Sequence, residues 1–241
     1  MVTAEIARTA AMRFRTTFCT FVTVAVVAFD NASFAQQPAS QTQTSAAAST
    51  IIRMEEPQPG DHWAYEIRDE ISGKTVGIRD NVVTEVAPTG ISVRFKMQGT
   101  SNEGFNLYDR LWNLKKSGQT TYSPHDGTSG IPASLTVGNT WTFQSSMINS
   151  NNGNAFKRSG SSKIVGQETI TTKAGTFETF KIETSFTVRN ANNPTGKSEF
   201  TFQTWYSPAI DHWVKRITIV KSDGHLRENN TLELVDYGRK Q

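Results

Sequence analysis

The sequence predicts an all-β protein: a single antiparallel, strongly curved sheet or open half-barrel, preceded by a signal peptide and a flexible linker. Three observations point there. From about Ile51 to Tyr237, apolar residues recur with period two, the spacing of half-buried strands. Between these stretches fall turn pairs such as Ser72-Gly73, Asn152-Gly153 and Asp223-Gly224, which supply the backbone conformations that hairpins need. Aromatic residues make up 10% of the chain and include five tryptophans, side chains that favour pleated, half-buried surfaces.

The first element is a leader. Met12-Arg13-Phe14-Arg15 is basic, Phe18 to Phe29 is apolar apart from Thr20 and Thr23, and Ser33-Phe34-Ala35 is a small-x-small site. That is the layout of a secretory signal peptide, with cleavage expected near Ala35. The apolar run is short of the ~20 residues a spanning helix needs, so no transmembrane span is expected in the mature protein. Residues 1–11 precede a second plausible start at Met12 and are either an upstream-start artefact or a long basic region. Cleavage removes Arg8, Arg13 and Arg15 with Glu5 and Asp30, leaving 22 basic and 20 acidic residues. It also removes Cys19, the single cysteine. A nearly neutral mature chain lacks the concentrated basic face of a nucleic-acid binder. Without disulfides its stability must come from the core, which about 190 residues can supply.

Residues 36–50, QQPASQTQTSAAAST, carry no large apolar side chain and read as a tether. The β domain is expected over 51–241. Trp63, Tyr65 and Ile67 alternate with His62, Glu66 and Arg68; Ile91, Val93, Phe95 and Met97 alternate with Ser92, Arg94, Lys96 and Gln98. Phe180, Ile182, Thr184, Phe186 and Val188 form a third alternating set. Phe105 to Lys115 fits either a strand or, through Leu107, Leu111 and Leu114, a helix, and the aromatic content favours the strand. Ser123 to Ser134 reads as a long polar loop, and Asn149 to Asn154 as a hairpin tip.

A weak internal repeat divides the domain. Gly60-Asp61-His62-Trp63-Ala64-Tyr65 matches Gly138-Asn139-Thr140-Trp141-Thr142-Phe143 as Gly-[Asp/Asn]-x-Trp-x-aromatic. Two similar meanders, 51–136 and 137–241, are one explanation, and recurrent turn-plus-strand chemistry is the other.

Ala174-Gly175-Thr176-Phe177-Glu178-Thr179-Phe180-Lys181-Ile182, then Trp205-Tyr206-Ser207-Pro208 and Trp213-Val214-Lys215-Arg216, resemble the uncharacterised exported β-rich domains of Gram-negative bacteria that pair an AGTF strand with a WYSP…VKR hairpin. Such domains are similar in turn to open half-barrel carriers of the bacterial envelope, which hold acyl chains on a concave apolar face. The resemblance implies a fold and a binding role, and brings no catalytic residues to carry over. The residues themselves allow a structural account of the motif: Gly175 for a tight turn, Phe177 at the end of the core, Pro208 to stop the ladder.

Catalytic signals are sparse. Four Asp/His neighbours occur, Asp61-His62, His125-Asp126, Asp211-His212 and Asp223-Gly224-His225; an enzyme would need two of them in one cleft, whereas turns alone also account for them. Ser129, in Gly127-Thr128-Ser129-Gly130, is the nearest approach to a serine nucleophile, and no phosphate loop is present. No metal ligand set and no cofactor are expected.

The aromatic set is the remaining signal. Trp63, Tyr65, Trp112, Trp141, Phe143, Phe180, Trp205, Tyr206 and Trp213 are the candidate ligand-binding residues, with at least three of the tryptophans expected in the core. The expected function is an exported, non-catalytic binding protein, periplasmic or secreted, whose partner is a hydrophobic small molecule, a lipid or an acylated envelope protein. The alternatives are an envelope-polymer hydrolase using the Asp/His pairs, or an interaction module using an exposed sheet edge.

Overall fold

The computed structural model describes residues 53–126, 130–193 and 195–239, with His125 and Asp126 described by their backbone alone. The chain divides into two units, Met1–Ala46 and Ala47–Gln241. The expected leader, with Cys19, and the linker 36–50 lie outside the described residues, as does Ser129. The fold below is that of the second unit.

Twelve strands are present among the described residues: β1 (His62–Asp69), β2 (Lys74–Ala87), β3 (Gly90–Met97), β4 (Glu103–Tyr108), β5 (Leu114–Ser117), β6 (Thr120–Asp126), β7 (Thr140–Asn149), β8 (Ala155–Thr172), β9 (Gly175–Asn190), β10 (Lys197–Ser207), β11 (His212–Ser222) and β12 (His225–Gly238). Each pairs antiparallel with the next, and β1 also pairs with β12, so the sheet is a closed barrel. This corrects the expected open half-barrel. An open meander would leave two rows of unpaired N–H and C=O groups. Here the two outermost strands satisfy each other, in a register running from His62↔Gly238 to Asp69↔Asn230. The sheet-edge alternative therefore lacks an edge, since every strand of the ring has a neighbour on both sides.

In an up-and-down barrel the connections alternate between two ends. At one end lies the two-residue hairpin between β11 and β12; Asp223 and Gly224 have φ of 49° and 80°, the doubly left-handed pair that such a hairpin requires. At the other end the β2–β3 and β8–β9 connections are two residues each, while the longer β4–β5 and β10–β11 connections and the segment before β1 add side chains to the core. Met54 N–H donates to the Ala209 carbonyl at 2.8 Å, and Ile131 N–H to the Leu111 carbonyl at 2.8 Å. Met54 and Ile210 from these segments join Trp63, Tyr65, Val83, Ile91 and Phe177 in a fully buried core. The strand members of that core all lie near this end of their strands, so it is sealed. Each such side chain contributes about 1.5–3 kcal/mol by leaving water.

Two further expectations are corrected. Phe105 to Lys115 is neither one strand nor a helix: Asp109 breaks it, its Oδ1 accepting from the Leu111 and Asn113 N–H groups at 2.9 and 2.8 Å, and Trp112 sits at φ 61°. The polar loop expected from Ser123 instead continues β6 to Asp126, because Ser145 Oγ donates to the Pro124 carbonyl at 2.9 Å and holds that segment against β7. The two Gly-[Asp/Asn] turns share their geometry. Gly60 and Gly138 have φ of 95° and 93°, and each N–H donates at 2.8 Å to a carbonyl of the strand after next, Val83 of β2 and Ile164 of β8 respectively.

The far end of the β8–β9 hairpin reaches around the wall. Lys173 Nζ donates to Glu66 on β1 at 2.8 Å, although three strands separate β9 from β1 in the ring. Trp205 lies under this extension, its indole N–H donating to Glu168 at 2.6 Å.

Candidate functional site: a cavity inside the barrel

A ring of twelve strands encloses more space than side chains from an eight-stranded ring would fill. Above the sealed core the barrel holds a cavity of about 260 Å³, far larger than the ~10–15 Å³ one water molecule needs. Aromatic and imidazole rings border it on the side of the core: Tyr65, Tyr108, Trp112, Tyr206, His212 and Trp213. Tyr65 and Trp213 stack with centroids 3.7 Å apart, and His212 lies 4.4 Å from Trp63 and 4.9 Å from Trp112.

Three guanidinium groups share the lining: Arg79 of β2, Arg158 of β8 and Arg216 of β11. Each lies against an aromatic face, Arg79 over Phe95 at 4.3 Å, Arg158 over Phe186 at 4.6 Å and Arg216 over Trp213 at 4.8 Å. Such stacking offsets part of the cost of holding a cation away from water. Arg216 also donates from Nε to Thr204 Oγ1 at 3.1 Å. Arg79 Nε is buried and has no hydrogen-bond partner; neither has Asn106 Oδ1 on the same wall.

Burial governs the titrating groups. Desolvation, reinforced by Arg216 and Arg79, pushes His212 down to about 3, so it is neutral at pH 7. Its Nδ1 accepts the Trp213 N–H at 2.9 Å. Asp211 is pushed up to about 6 by burial, although Tyr206 Oη and Trp112 Nε1 donate to it at 2.6 and 3.1 Å. Burial also raises the Tyr65 and Tyr206 phenols and lowers Arg79.

Of the nine candidate residues, the cavity brings together Tyr65, Trp112, Tyr206 and Trp213. Trp63 lies in the core, edge-on to Trp112 at 5.8 Å. Trp141 and Phe180 pack against Ile164, Ile182 and Tyr206 in a separate cluster. Phe143 meets Phe186 edge-on at 6.0 Å. Trp205 is covered by Lys181 and Lys215 at 5.0 and 5.7 Å. Trp63, Trp112 and Trp205 are the buried tryptophans.

The Asp/His neighbours do not converge. Asp61 is bound by Arg239, and His62 by Asp236 at 3.2 Å. Asp211 is bound by Tyr206 and Trp112 rather than by His212. His225 is exposed at the start of β12. The side chains of His125 and Asp126 lie outside the description. Among the described residues no group of three or more His, Cys, Asp and Glu side chains could hold a metal ion, and no helix is long and apolar enough to cross a membrane.

Sequence reasoning missed the arginines. The available signal was their phase: Arg158, Ser162 and Ile164 share one face of β8, and that face is buried.

Fold and site together define a closed antiparallel β-barrel with one sealed end and a mixed aromatic and cationic lumen. No family model matches the chain, and no curated protein matches it. Solved structures do. A candidate lipoprotein from Parabacteroides distasonis superposes with a TM-score of 0.51 at 14% identity, over 77% of this chain and 99% of that one. A candidate exported protein with a YmcC-like fold from Bacteroides fragilis gives 0.49 at 14% identity, over 78% and 100%. The hypothetical lipoprotein YmcC from Escherichia coli gives 0.44 at 11% identity, over 76% and 87%. The first likeness establishes a shared fold.

Proposed function

We propose that this is an exported, non-catalytic binding protein that holds a hydrophobic or acylated envelope component inside the barrel. The observation that carries the reading is the cavity itself: a concave space of about 260 Å³ within the ring of strands, bordered by aromatic rings above the buried core, the form in which small-ligand sites are built. It relocates the expected concave face to the lumen. The leader-like segment supports export, and the name of the fold neighbour from Parabacteroides distasonis, a lipoprotein, accords with it. The hydrolase alternative has less support, because none of the histidines whose side chains are described, His62, His212 and His225, is held by the aspartate beside it in sequence.

Native mass spectrometry of protein purified gently from the periplasm, before and after delipidation, tests the proposal. A reproducible adduct of lipid mass, lost on delipidation, is expected. A clean polypeptide mass in both samples, with no amphiphile bound on titration, would overturn it.

A further inference from the structure

Arg79 is an expensive residue for this barrel to keep. It lies directly opposite Tyr65 across the β1–β2 ladder, with its guanidinium over Phe95 at 4.3 Å. Its Nε is buried with no hydrogen-bond partner, and the titratable groups that act on it are the phenols of Tyr108 and Tyr65 rather than any carboxylate. A guanidinium taken from water into an aromatic cavity without a counterion destabilises a fold, and an apolar side chain of similar size there is more stable. A purely structural role leaves that cost unexplained.

The geometry instead suits a ligand group. Phe95 holds one face of the guanidinium, fixing its plane. The orphaned N–H belongs to a planar fork that binds carboxylate or phosphate oxygens through two parallel hydrogen bonds. Arg216 lines the same cavity, and it acts with Arg79 electrostatically on both Tyr65 and His212. The two cations thus bias one region of the lumen toward negative charge. His212, directed at the Trp213 N–H through Nδ1, adds no competing anion. Beside this cationic wall lie the rings of Tyr65, Trp112 and Trp213, suited to an apolar body.

Resting on the binding function proposed above, we infer that the ligand is an amphiphile with an oxyanion head, a carboxylate or a phosphate ester, and that Arg79 is the residue that selects it.

The test titrates the purified protein with decanoate, decyl phosphate and decanol, following tryptophan fluorescence, since Trp112 and Trp213 border the cavity. At least one anionic probe is expected to bind about tenfold or more tightly than decanol, the margin of a charge-assisted hydrogen bond. Which anion leads separates a fatty acid from a phospholipid-like ligand. In Arg79→Met the anion-to-decanol ratio falls toward one, and the variant melts at a higher temperature than the parent. Arg79→Lys keeps the charge without the fork and gives an intermediate ratio. Equal binding of anionic and neutral probes, or a ratio unchanged in Arg79→Met, would overturn this inference while leaving the binding function standing. Failure of every probe to bind would overturn both. A lower melting temperature for Arg79→Met with an unchanged ratio would show a structural residue instead.

Discussion

Tyr65 and Trp213 are stacked face to face, 3.7 Å between ring centroids, and the Tyr65 hydroxyl donates to the carbonyl of Trp213 at 2.8 Å. The two residues sit on β1 and β11, which β12 separates in the ring. One side chain therefore bridges two strands that share no ladder, and does so on the cavity wall.

Removing that hydroxyl in Tyr65→Phe keeps the stack and withdraws the donor from a part-buried carbonyl. A loss of about 1–3 kcal/mol is expected, read from urea denaturation curves. No change would show that the carbonyl is satisfied elsewhere.

The neighbours Asp211 and His212 pull stability in opposite directions with pH. Asp211, raised from 3.8 to about 6, favours the fold most below its unfolded value, and that contribution is lost as pH rises through about 6. His212, lowered from 6.5 to about 3, favours the fold above its unfolded value, and that contribution is lost as pH falls toward 3. Between about pH 4 and 6 the two slopes, each near 1.4 kcal/mol per pH unit, oppose one another. Unfolding free energies measured across this window should change little on their account in the parent. In Asp211→Asn they should fall steadily on acidification. Asparagine also tolerates the left-handed backbone at this position, φ 45°.

Gly160 is the site where the wall is tightest. A Cβ there would lie 2.3 Å from the Ser185 carbonyl oxygen and 2.4 Å from the Phe186 Cβ, and backbone cannot yield as a side-chain tip can. Gly160→Ala is expected to cost about 1–3 kcal/mol and to lower the melting temperature. A melting temperature equal to the parent's would contradict the contact.

Arg239 fastens β12 to the segment before β1. Its Nε and one terminal nitrogen donate to the two oxygens of the fully buried Asp61 at 2.8 and 3.0 Å, and that same terminal nitrogen reaches the Glu56 carbonyl at 2.6 Å. Gln58 N–H also donates to Asp61, at 2.8 Å. Arg239→Ala strands a buried carboxylate, and a loss of about 2–3 kcal/mol is expected from denaturation curves, below the range for a fully buried pair because the arginine is partly solvated.

Alternation made β3 and β9 readable, because Ile91 with Val93, and Ile182 with Phe186, face one way while Lys96 and Glu183 face the other. Closure was not readable. Nothing in the alternation of Trp63 and Tyr65, or in that of Leu232 and Leu234, says that these two strands pair with each other. That missing fact decides the site: on an open sheet the inward phase is a packed or ligand-bearing apolar face, and Arg79 and Arg216 look like surface charges. Once the ring closes, the same phase lines a lumen wide enough to hold them. The aromatic residues were a partial guide, since burial draws them to the core, to the wall and beneath the β8–β9 extension alike.

The seam between β1 and β12 brings together His62 and Asp236, 174 positions apart in the chain. Contacts of such long range are slow to form, because a long loop must be ordered before they reward it. During folding, the β1 edge therefore waits for its partner while eleven strands can already have paired. After His225 and Leu226, β12 runs through Arg227, Glu228, Asn229 and Asn230, and Asn229 and Asn230 pair with Ile219 and Thr218. Charged and amide side chains on a late strand discourage it from joining another molecule's open edge before it finds its own. The ring's weakness is thus one of timing: variants that destabilise the seam should lower the yield of folded protein more than their effect on the finished barrel would suggest.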